Sequence, residues 1–403
     1  MDKKSYILQL LKYFVMAVIV GIIVGAIDAL FGRVLIAISD FRTIHYQYLL
    51  PFLPIAGLVI TAMYYAFSKA SLKGMKLVFE AGQQKTDAIP LLLIPLVMIG
   101  TWLTHLFGGS AGREGVAVQI GATLSHAIGR KFKFPENGRL MLVIGMAAGF
   151  GGLFQTPLSA TFFAIEVIVI GKMDYEALLP ALASAYTAAF TSHSLGLEKF
   201  SVVMKDTVNL SGTKTIAVVI CLGIIFGLTG RLFSFSLSKL KAFMGEKIMN
   251  QFLRIGFMAI PLAVLLFAVH GSRYSGLGTN LISAGFTGQT IYGYDWILKL
   301  LFTIFTLAIG FQGGEVTPLF SIGTSLGVIL GGLFGLPPML CAALGYAAVF
   351  GSATNTLIAP IMIGLEVFGR ANMVLFVIVC AIAYGVNAVS YTHLRAHETA
   401  ANL

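Results

Sequence analysis

Long apolar runs recur from one end of this chain to the other, and they restrict its fold more than any other feature. They occupy residues 14–32, 51–67, 90–107, 140–171, 176–191, 215–230, 255–270, 300–312, 316–350 and 356–389. A run of about 20 apolar residues crosses a bilayer as a helix, because lipid leaves every backbone polar group to be satisfied within the segment. Only 11% of the residues are charged, roughly half the share found in soluble domains. The sequence therefore predicts an all-α polytopic membrane protein.

Basic residues outnumber acidic ones and give the chain a formal net charge of +10. They lie beside the ends of apolar runs, which is typical of cytoplasmic loops and predicts a cytoplasmic N-terminus in an inner or plasma membrane. The opening MDKKSYILQLLKYF has no small-residue cleavage site, so the first run is expected to stay in the membrane. Nucleic acid is not an expected partner, because the charges flank membrane segments. The basic clusters are Lys3, Lys4 and Lys12; Arg130, Lys131, Lys133 and Arg139; and Arg231, Lys239, Lys241, Lys247 and Arg254.

Several function classes lack the motifs that they need. The sequence has no Walker loop and no dinucleotide fingerprint, so we expect a gradient to supply the driving force. His393 and His397 are four residues apart, but they lie in a polar segment without a third ligand, and we expect no metal and no cofactor. A membrane-embedded enzyme is disfavoured, because HExxH, GxSxG and paired aspartates are absent. The three cysteines lie in apolar runs as small core residues: Cys221, Cys341 and Cys380.

The chain contains an internal repeat at an offset of 200 residues. Residues 145–167, GMAAGFGGLFQTPLSATFFAIEV, match residues 345–367, GYAAVFGSATNTLIAPIMIGLEV, at eight of 23 positions, including the pair Glu166 and Glu366. A Gly-rich element with one carboxylate precedes each copy, GREGV at 112–116 and GGEVTP at 313–318. We predict a first membrane half, a linker, a second membrane half and a polar tail over residues 1–200, 201–214, 215–392 and 393–403.

Many of the membrane segments are short or interrupted by Gly and Pro. Two membrane halves with broken helices in corresponding places are typical of a transporter whose binding site lies near the midplane. The N-termini of half-helices carry unpaired backbone N–H groups and partial positive charge, so the expected ligand is an anion. The sequence alone leaves open whether the halves are parallel or inverted.

The segment GREGV predicts a helix whose first turn holds a carboxylate. Val116, Ile120 and Leu124 follow at four-residue spacing, which places Glu114 at the helix start. In an ordinary protein such a carboxylate is a stabilising cap, but ionisable groups at membrane depth usually line a pathway. We predict that Glu114 occupies the anion site when charged and leaves it when protonated. One residue can thereby exchange a proton for an anion.

These motifs resemble those of the CLC family of chloride channels and anion/proton antiporters. GREGV at 112–116 resembles the family's GREGP, which holds the gating glutamate, and residues 145–166 resemble its long Gly- and Ala-rich helix pair. GGEVTP at 313–318 resembles its GxFxP element, and SLKGMKLV at 71–78 falls where the family has GSGIP. The resemblance implies a CLC-type fold of two inverted-topology repeats with broken helices, and a homodimer with one pore per subunit. It also implies that Gly112, Arg113 and Gly115 contribute to the anion site around Glu114.

Three positions depart from the chloride-transporting members. Met75 stands where they have a serine, Glu315 adds a carboxylate in the GxFxP element, and Val167 replaces an internal proton-transfer glutamate. These changes resemble the fluoride/proton antiporter branch, CLC-F. Fluoride is small and strongly hydrated, so removing its water needs close, strong hydrogen-bond donors. Proton-binding carboxylates suit it, because it is the base of a weak acid.

The resemblance assigns roles to the remaining candidates. Glu315 is expected to be a second carboxylate for protons or anions, close enough to Glu114 for the two charges to repel, and Thr317 offers a hydroxyl to the same ion. A helix N-cap is the alternative for Glu315. Met75 is expected to help reject chloride, with ordinary core packing as the alternative. Tyr391 is the candidate pore tyrosine, although the segment after it does not resemble the family's closing helix.

The function expected from the resemblance is secondary active transport that exports fluoride from a bacterial cytoplasm in exchange for protons. A chloride-selective CLC channel or chloride/proton antiporter is the alternative, in which Met75 and Glu315 are incidental. Fluoride or chloride, protons, membrane lipid and a second copy of the chain are the expected partners. Glu166 and Glu366 occupy matched positions near helix C-termini, and for them a structural role is at least as expected as one in transport.

Overall fold

The computed structural model describes residues 3–169, 171–204, 206–208 and 212–401, with side chains left undescribed at 3–7, 137 and 388–401. These residues form sixteen α-helices and no β-strand, which confirms the predicted all-α fold class. The helices are α1 (Lys3–Leu49), α2 (Leu53–Phe67), α3 (Met75–Gly82), α4 (Leu93–Leu106), α5 (Glu114–Lys131), α6 (Arg139–Phe154), α7 (Pro157–Val167), α8 (Leu178–Ser194), α9 (Thr213–Lys247), α10 (Gln251–Ala268), α11 (Thr279–Thr287), α12 (Asp295–Ile309), α13 (Val316–Phe334), α14 (Pro338–Thr354), α15 (Ile358–Phe368) and α16 (Met373–Ala401).

Only some of these helices are long enough to cross a membrane by themselves. Within the described residues, four helical segments reach at least 18 residues with sufficient mean hydropathy: Leu8–Phe67, Thr213–Lys247, Gln251–Ala268 and Val316–Phe334. Other apolar helices are shorter, and α7 and α15 have 11 residues each, about 16 Å of helix. Because the hydrocarbon core is about 30 Å thick, such helices end inside the protein. The chain is a multi-pass membrane protein with broken helices, as predicted.

The helix breaks occur at matched places in the two copies of the repeat. The predicted apolar run 140–171 divides where α6 ends at Phe154 and Gln155 takes a left-handed backbone conformation with φ 56°. The second copy divides in the same way after α14, where Asn355 has φ 55°. Pro157 then begins α7, since proline fits the first turn of a helix but cannot continue one. Each copy is therefore a pair of half-helices rather than one span.

Glycines allow the half-helix pairs to pack closely. A Cβ at Gly121 of α5 would overlap the carbonyl oxygen of Gly145 in α6, and the same holds for Gly323 of α13 against Gly345 in α14. Small residues at such crossings bring two helix backbones together where lipid offers no hydrophobic driving force. The pairs α5–α6 and α13–α14 are thus equivalent packing units of the two halves.

Two backbone hydrogen bonds join the matched Gly-rich elements. The N–H of Gly112 donates to the carbonyl of Gly314 at 2.6 Å, and the N–H of Gly314 donates to the carbonyl of Gly112 at 2.8 Å. The two residues form an antiparallel bridge. The matched segments run in opposite directions there, as expected for inverted halves. The exact residue limits predicted for the halves and the linker stay a prediction.

Candidate functional site

Three helix N-termini meet beside the Gly112–Gly314 bridge. Helices α5 and α13 start two residues beyond each side of it, at Glu114 and Val316. Helix α3 starts at Met75, and the preceding Gly74 lies against α5, because the side-chain oxygen of Gln119 is 3.3 Å from the position of a Cβ on Gly74. The first amides of a helix lack intrahelical partners and carry partial positive charge. Their convergence makes an anion site.

The carboxylate of Glu114 fills this site. Its Oε2 accepts hydrogen bonds from the backbone N–H of Thr317, at 3.2 Å, and from the Thr317 hydroxyl. The backbone N–H of Arg113 also donates to Oε2, at 3.3 Å, and the side chain of Glu114 is 2% exposed. The Glu114 oxygens therefore stand where a bound anion would accept the same hydrogen bonds at the start of α13.

Arg113 adds positive charge with free donors to the same place. Its Nε lies 3.7 Å from Oε1 of Glu114, and its side chain is 15% exposed. Within the described part of the chain, Arg113 Nε and Nη1 are buried and have no hydrogen-bond partner. A guanidinium with unused donors can accept a second anion, or hold the first one when Glu114 moves away.

The Gly112–Gly314 bridge brings the backbone of Glu315 close to that of Glu114. The two side chains nevertheless have different environments. It is the N-cap residue of α13, yet its side chain makes no capping hydrogen bond and is exposed. Among the described residues no hydrogen bond or ion pair reaches its carboxylate, and the cation that interacts with it electrostatically is Lys241 of α9. The Glu315 side chain therefore does not cap α13, which was the alternative role considered for it. The Glu114 carboxylate is buried under Thr317, whereas the Glu315 side chain is exposed and has no hydrogen-bond partner among the described residues.

Met75 is half-buried and packs against the main hydrophobic cluster. As the first residue of α3 it stands at one of the three converging N-termini, where it adds no hydroxyl. Its contribution to rejecting chloride stays a prediction. Tyr391 lies in the part of α16 whose side chains are outside the described residues.

Glu166 and Glu366 each bind the N-terminus of the matched helix in the other half. Glu366 accepts hydrogen bonds from the backbone N–H groups of Leu158 and Ser159 at 3.0 and 2.8 Å, and from the Ser159 hydroxyl at 2.6 Å. Glu166 accepts from the backbone N–H of Ile358 at 2.9 Å, and from its two neighbours at 3.2 and 3.3 Å. Both carboxylates hold α7 and α15 together. Of the structural role and the transport role that the sequence left open, these contacts correspond to the structural one.

Two residues of the site were not identified from sequence. Gln119 donates to the carbonyl of Gly115 at 3.2 Å, and its buried side-chain oxygen has no partner in the described part of the chain. Tyr346 stacks on Phe320 with ring centroids 3.9 Å apart and interacts electrostatically with Glu114. Aligning the two copies of the repeat offers a signal for Tyr346, since it stands where the first copy has Met146.

Inverted membrane halves with broken helices directed at a buried glutamate define a membrane ion transporter or channel. The family model described as "Voltage gated chloride channel" matches residues 56–388, most of the chain. The chain therefore belongs to the CLC family, whose members are channels and transporters of ions.

Individual relatives agree with this assignment. The chain is 36% identical over 380 residues to a "Chloride/fluoride channel protein" of Pseudomonas syringae pv. tomato, covering 93% of this chain and 83% of the relative. It is 52% identical to a protein solved as the "Crystal structure of a CLC-type fluoride/proton antiporter", with a TM-score of 0.92, covering 94% of this chain and 95% of the other. A slow cyanobacterial Cl⁻/H⁺ antiporter, with 20% identity, a TM-score of 0.79 and 96% and 98% of the chains covered, shares the fold.

Proposed function

We propose that this protein is a secondary active transporter that exports fluoride in exchange for protons, as a homodimer in the inner or plasma membrane with a cytoplasmic N-terminus. The observation that carries the proposal is the position of the Glu114 carboxylate, which accepts both the N–H and the hydroxyl of Thr317 at the start of α13. The similarity to a solved fluoride/proton antiporter at 52% identity supports the choice of ions.

Protonation of Glu114 is the step that exchanges the two ions. A charged carboxylate is a strong acceptor for the Thr317 donors, whereas the protonated acid is a weak one. When a proton binds, Glu114 leaves, and the N–H and hydroxyl of Thr317 become available to a fluoride ion. When fluoride departs, the deprotonated carboxylate returns to the same donors. In each cycle the site is therefore occupied alternately by the anion and by the charged Glu114 side chain, and never by both.

Glu315 supplies the second protonatable group. Val167 stands where chloride antiporters are expected to carry a proton-transfer glutamate, so the proton needs another way to the site. Glu315 is exposed and interacts with Lys241, which belongs to a basic cluster predicted to be cytoplasmic. A protonated Glu315 can donate a hydrogen bond to fluoride, while its charged form cannot. We assign two roles to Glu315. It transfers protons between the aqueous side and the anion site, and in its protonated form it donates a hydrogen bond to fluoride.

Chloride selectivity is the second candidate, because one relative is named a chloride/fluoride channel protein. Purified protein in liposomes distinguishes the two. Fluoride and chloride electrodes record efflux in parallel, and a pH electrode records proton movement under an imposed anion gradient. Fluoride efflux with coupled, uphill proton uptake supports the proposal. Equal or greater chloride efflux, or fluoride efflux without proton movement, contradicts it.

The variant Glu114→Gln tests the exchange step. Glutamine mimics the protonated side chain permanently, so proton-coupled exchange should be lost. Glu198→Gln is the matched control, because Glu198 is an exposed carboxylate in the connection between α8 and α9. Uphill proton movement that survives in Glu114→Gln shows that another residue couples the two ions.

A further inference from the structure

A cavity of about 170 Å³ lies between the C-terminal part of α1 and the loop that precedes α11. Four residues near the end of α1 line it from one side, and eight residues between positions 271 and 280 line it from the other. Residues 108–113, here called the gate segment, form backbone hydrogen bonds with this loop through Gly109 and Ala111. None of Glu114, Thr317 or Glu315 lines the cavity. It is a separate place in the molecule from the site described above.

Two buried side chains that line this cavity have donors without a partner among the described residues. Arg42 is 8% exposed, and its Nε and Nη1 have no hydrogen-bond partner among the described residues. Ser275 is 2% exposed, and its hydroxyl is likewise unpartnered. The Arg42 guanidinium lies against the backbone of Gly276, where a Cβ would overlap Nη1. Buried donors in folded proteins are almost always satisfied, so these two side chains are available to an acceptor that enters the cavity.

The charges around the cavity also lack a counter-ion. Lys299 is fully buried behind it and donates to Ser110 Oγ at 2.9 Å and to the carbonyls of Tyr274 and Gly276 at 3.1 and 2.7 Å, all of which are neutral. A buried cation needs a partner of opposite charge to offset its loss of hydration.

The two nearest acidic groups do not supply that partner. Asp295 is buried, but both of its oxygens accept from Arg273, at 3.2 and 2.8 Å. Asp40 lines the cavity, yet it is exposed, and no ion pair joins it to Arg42 in the described part of the chain. Neither Arg42 nor Lys299 therefore forms an ion pair with a carboxylate in the described part of the chain.

The start of α11 faces the same space. Thr279 and Asn280, its first two residues, line the cavity. The amides of the next two residues bond the carbonyl of Gly278 at 3.1 and 3.2 Å. A helix N-terminus presents amides and partial positive charge, which favour an anion. It points to the same kind of ligand as Arg42 and Ser275.

We propose that this cavity binds a halide ion between the Arg42 guanidinium, the Ser275 hydroxyl and the first amides of α11. All three contributions are hydrogen-bond donors and the Arg42 guanidinium is positive, which favours an anion, whereas the exposed carboxylate of Asp40 in the same lining opposes one. The cavity of about 170 Å³ accommodates one halide with some of its water, whereas an extended organic anion would need more room. The site does not depend on which halide the protein transports.

The site lies on the face of the protein opposite the N-terminal end of α1. Tyr13 of α1 packs on Phe134 with ring centroids 4.8 Å apart, next to the basic cluster at 130–139. Arg42 lies 29 residues further along the helix, about 43 Å at the usual rise per residue. With a cytoplasmic N-terminus, the cavity opens toward the outside.

Backbone hydrogen bonds connect this halide site to the gate segment. The N–H of Gly276 donates to Gly109 at 3.0 Å, and the N–H of Ala111 donates to Gly276 at 3.3 Å. Ser110, which accepts from Lys299, lies four residues before Glu114. A halide held by Arg42 therefore lies beside a loop that is hydrogen-bonded directly to the gate segment. It lies on the side from which external anions approach and exported anions leave.

Anomalous diffraction from crystals of the full-length protein grown in bromide tests the site. A bromide peak is expected within hydrogen-bond distance of Arg42 in the unaltered protein, and its loss in Arg42→Gln. Arg33→Gln is the matched control, because Arg33 lies on the same helix, is exposed and bonds the carbonyl of Leu195 instead. Asp40→Asn should raise the bromide occupancy, since it removes a competing negative charge. An empty cavity in the unaltered protein overturns the proposal, and so does a peak that persists in Arg42→Gln.

Thermal unfolding in detergent gives a second readout that needs no crystal of the variant. In gluconate buffer without halide, Arg42→Gln should unfold at a higher temperature than the unaltered protein, because it removes a buried charge without a partner. Adding bromide should stabilise Arg42→Gln less than it stabilises Arg33→Gln, since one binding site is lost. Equal stabilisation of the two variants by bromide contradicts the proposal. Neither readout involves transport, so failure of fluoride/proton exchange would leave both results standing.

Discussion

Thr317 provides two donors to the Glu114 carboxylate, and they differ in how easily they can be removed. The backbone N–H belongs to the first turn of α13 and survives any ordinary substitution, whereas the hydroxyl belongs to the side chain. The hydroxyl therefore offers a way to weaken the grip on Glu114, and on a fluoride ion in its place, without moving the helix.

We expect Thr317→Val to slow fluoride/proton exchange by about tenfold or more, because a hydrogen bond to a charged acceptor contributes roughly 1.5–3 kcal/mol. Valine keeps the shape of threonine and the backbone N–H. The measurement is initial fluoride efflux from liposomes at matched protein density. Thr324→Val on the same helix is the control, because the Thr324 hydroxyl is buried and has no partner among the described residues. A similar loss of rate in both variants would assign the effect to packing of α13.

Glu315→Gln should abolish coupled turnover while the protein stays folded. Its side chain makes no capping hydrogen bond, so the substitution removes a proton site and not a helix cap. A capping residue would instead cost about 1 kcal/mol of stability and leave transport nearly intact. Size-exclusion chromatography and thermal unfolding check the fold, and pH and fluoride electrodes check the exchange. Retained exchange with an unchanged melting temperature would remove Glu315 from the mechanism.

Met75→Ser should narrow the preference for fluoride over chloride. Serine restores a hydroxyl at the start of α3, where a donor suited to the larger ion would lower the energy of bound chloride. Selectivity is a difference between two affinities, so fluoride and chloride fluxes must be measured in the same preparation. A flux ratio that does not change would leave Met75 with only its packing against the main hydrophobic cluster.

At the scale of helices, the exchange of caps between α7 and α15 is a reciprocal link between the two halves. We expect Glu366→Ala to lower the free energy of unfolding by about 3 kcal/mol, because the start of α7 loses a charged acceptor for three donors. Glu166→Ala should have a comparable effect on α15. Thermal unfolding measures both, with Glu198→Ala as an exposed control. An unchanged free energy of unfolding in both variants would show that these contacts do not stabilise the fold.

Local sequence patterns were sufficient for the helix that begins at Glu114 and for the breaks in the repeat. The four-residue spacing after GREGV acts within one or two turns, and α5 begins where it indicates. The Gly and Pro interruptions indicated broken helices, but not the residue at which α7 begins. The caps made by Glu166 and Glu366 join residues about 200 positions apart, and no local pattern encodes such a contact. Matched positions in the repeat showed that the pair belonged together, but not what it binds.

For the candidate site too, the sequence located the segments that form it but not the environment of each side chain. A shared Gly-rich element in each half located Glu114 and Glu315, and the bridge between Gly112 and Gly314 brings those elements together. Their side chains nevertheless have opposite surroundings, one buried under Thr317 and one exposed, because side-chain direction depends on tertiary packing. The cavity at Arg42 was not foreseen either, since its walls come from residues more than 200 positions apart.

At the scale of the whole molecule, the two ends of α1 should be accessible from opposite sides of the membrane. Asp40 is exposed near the end of α1, and Lys133 is exposed beside Phe134, which packs on Tyr13. In a protein whose three cysteines are replaced by alanine, Asp40→Cys should react with an impermeant maleimide in intact cells. Lys133→Cys should react only after the membrane is opened. Reaction of Lys133→Cys alone in intact cells would reverse the proposed orientation.

The reciprocal binding of Glu166 and Glu366 also has a consequence for biosynthesis. During synthesis the first half reaches the membrane while α15 is still inside the ribosome or untranslated, so the Glu166 carboxylate has no amides to bind and the start of α7 has no carboxylate. Neither group can settle in lipid in that condition, and both must wait in water or at the interface. The nascent first half is therefore an unfinished insertion intermediate, and these two groups find their partners only when α15, about 200 residues further along the chain, has emerged.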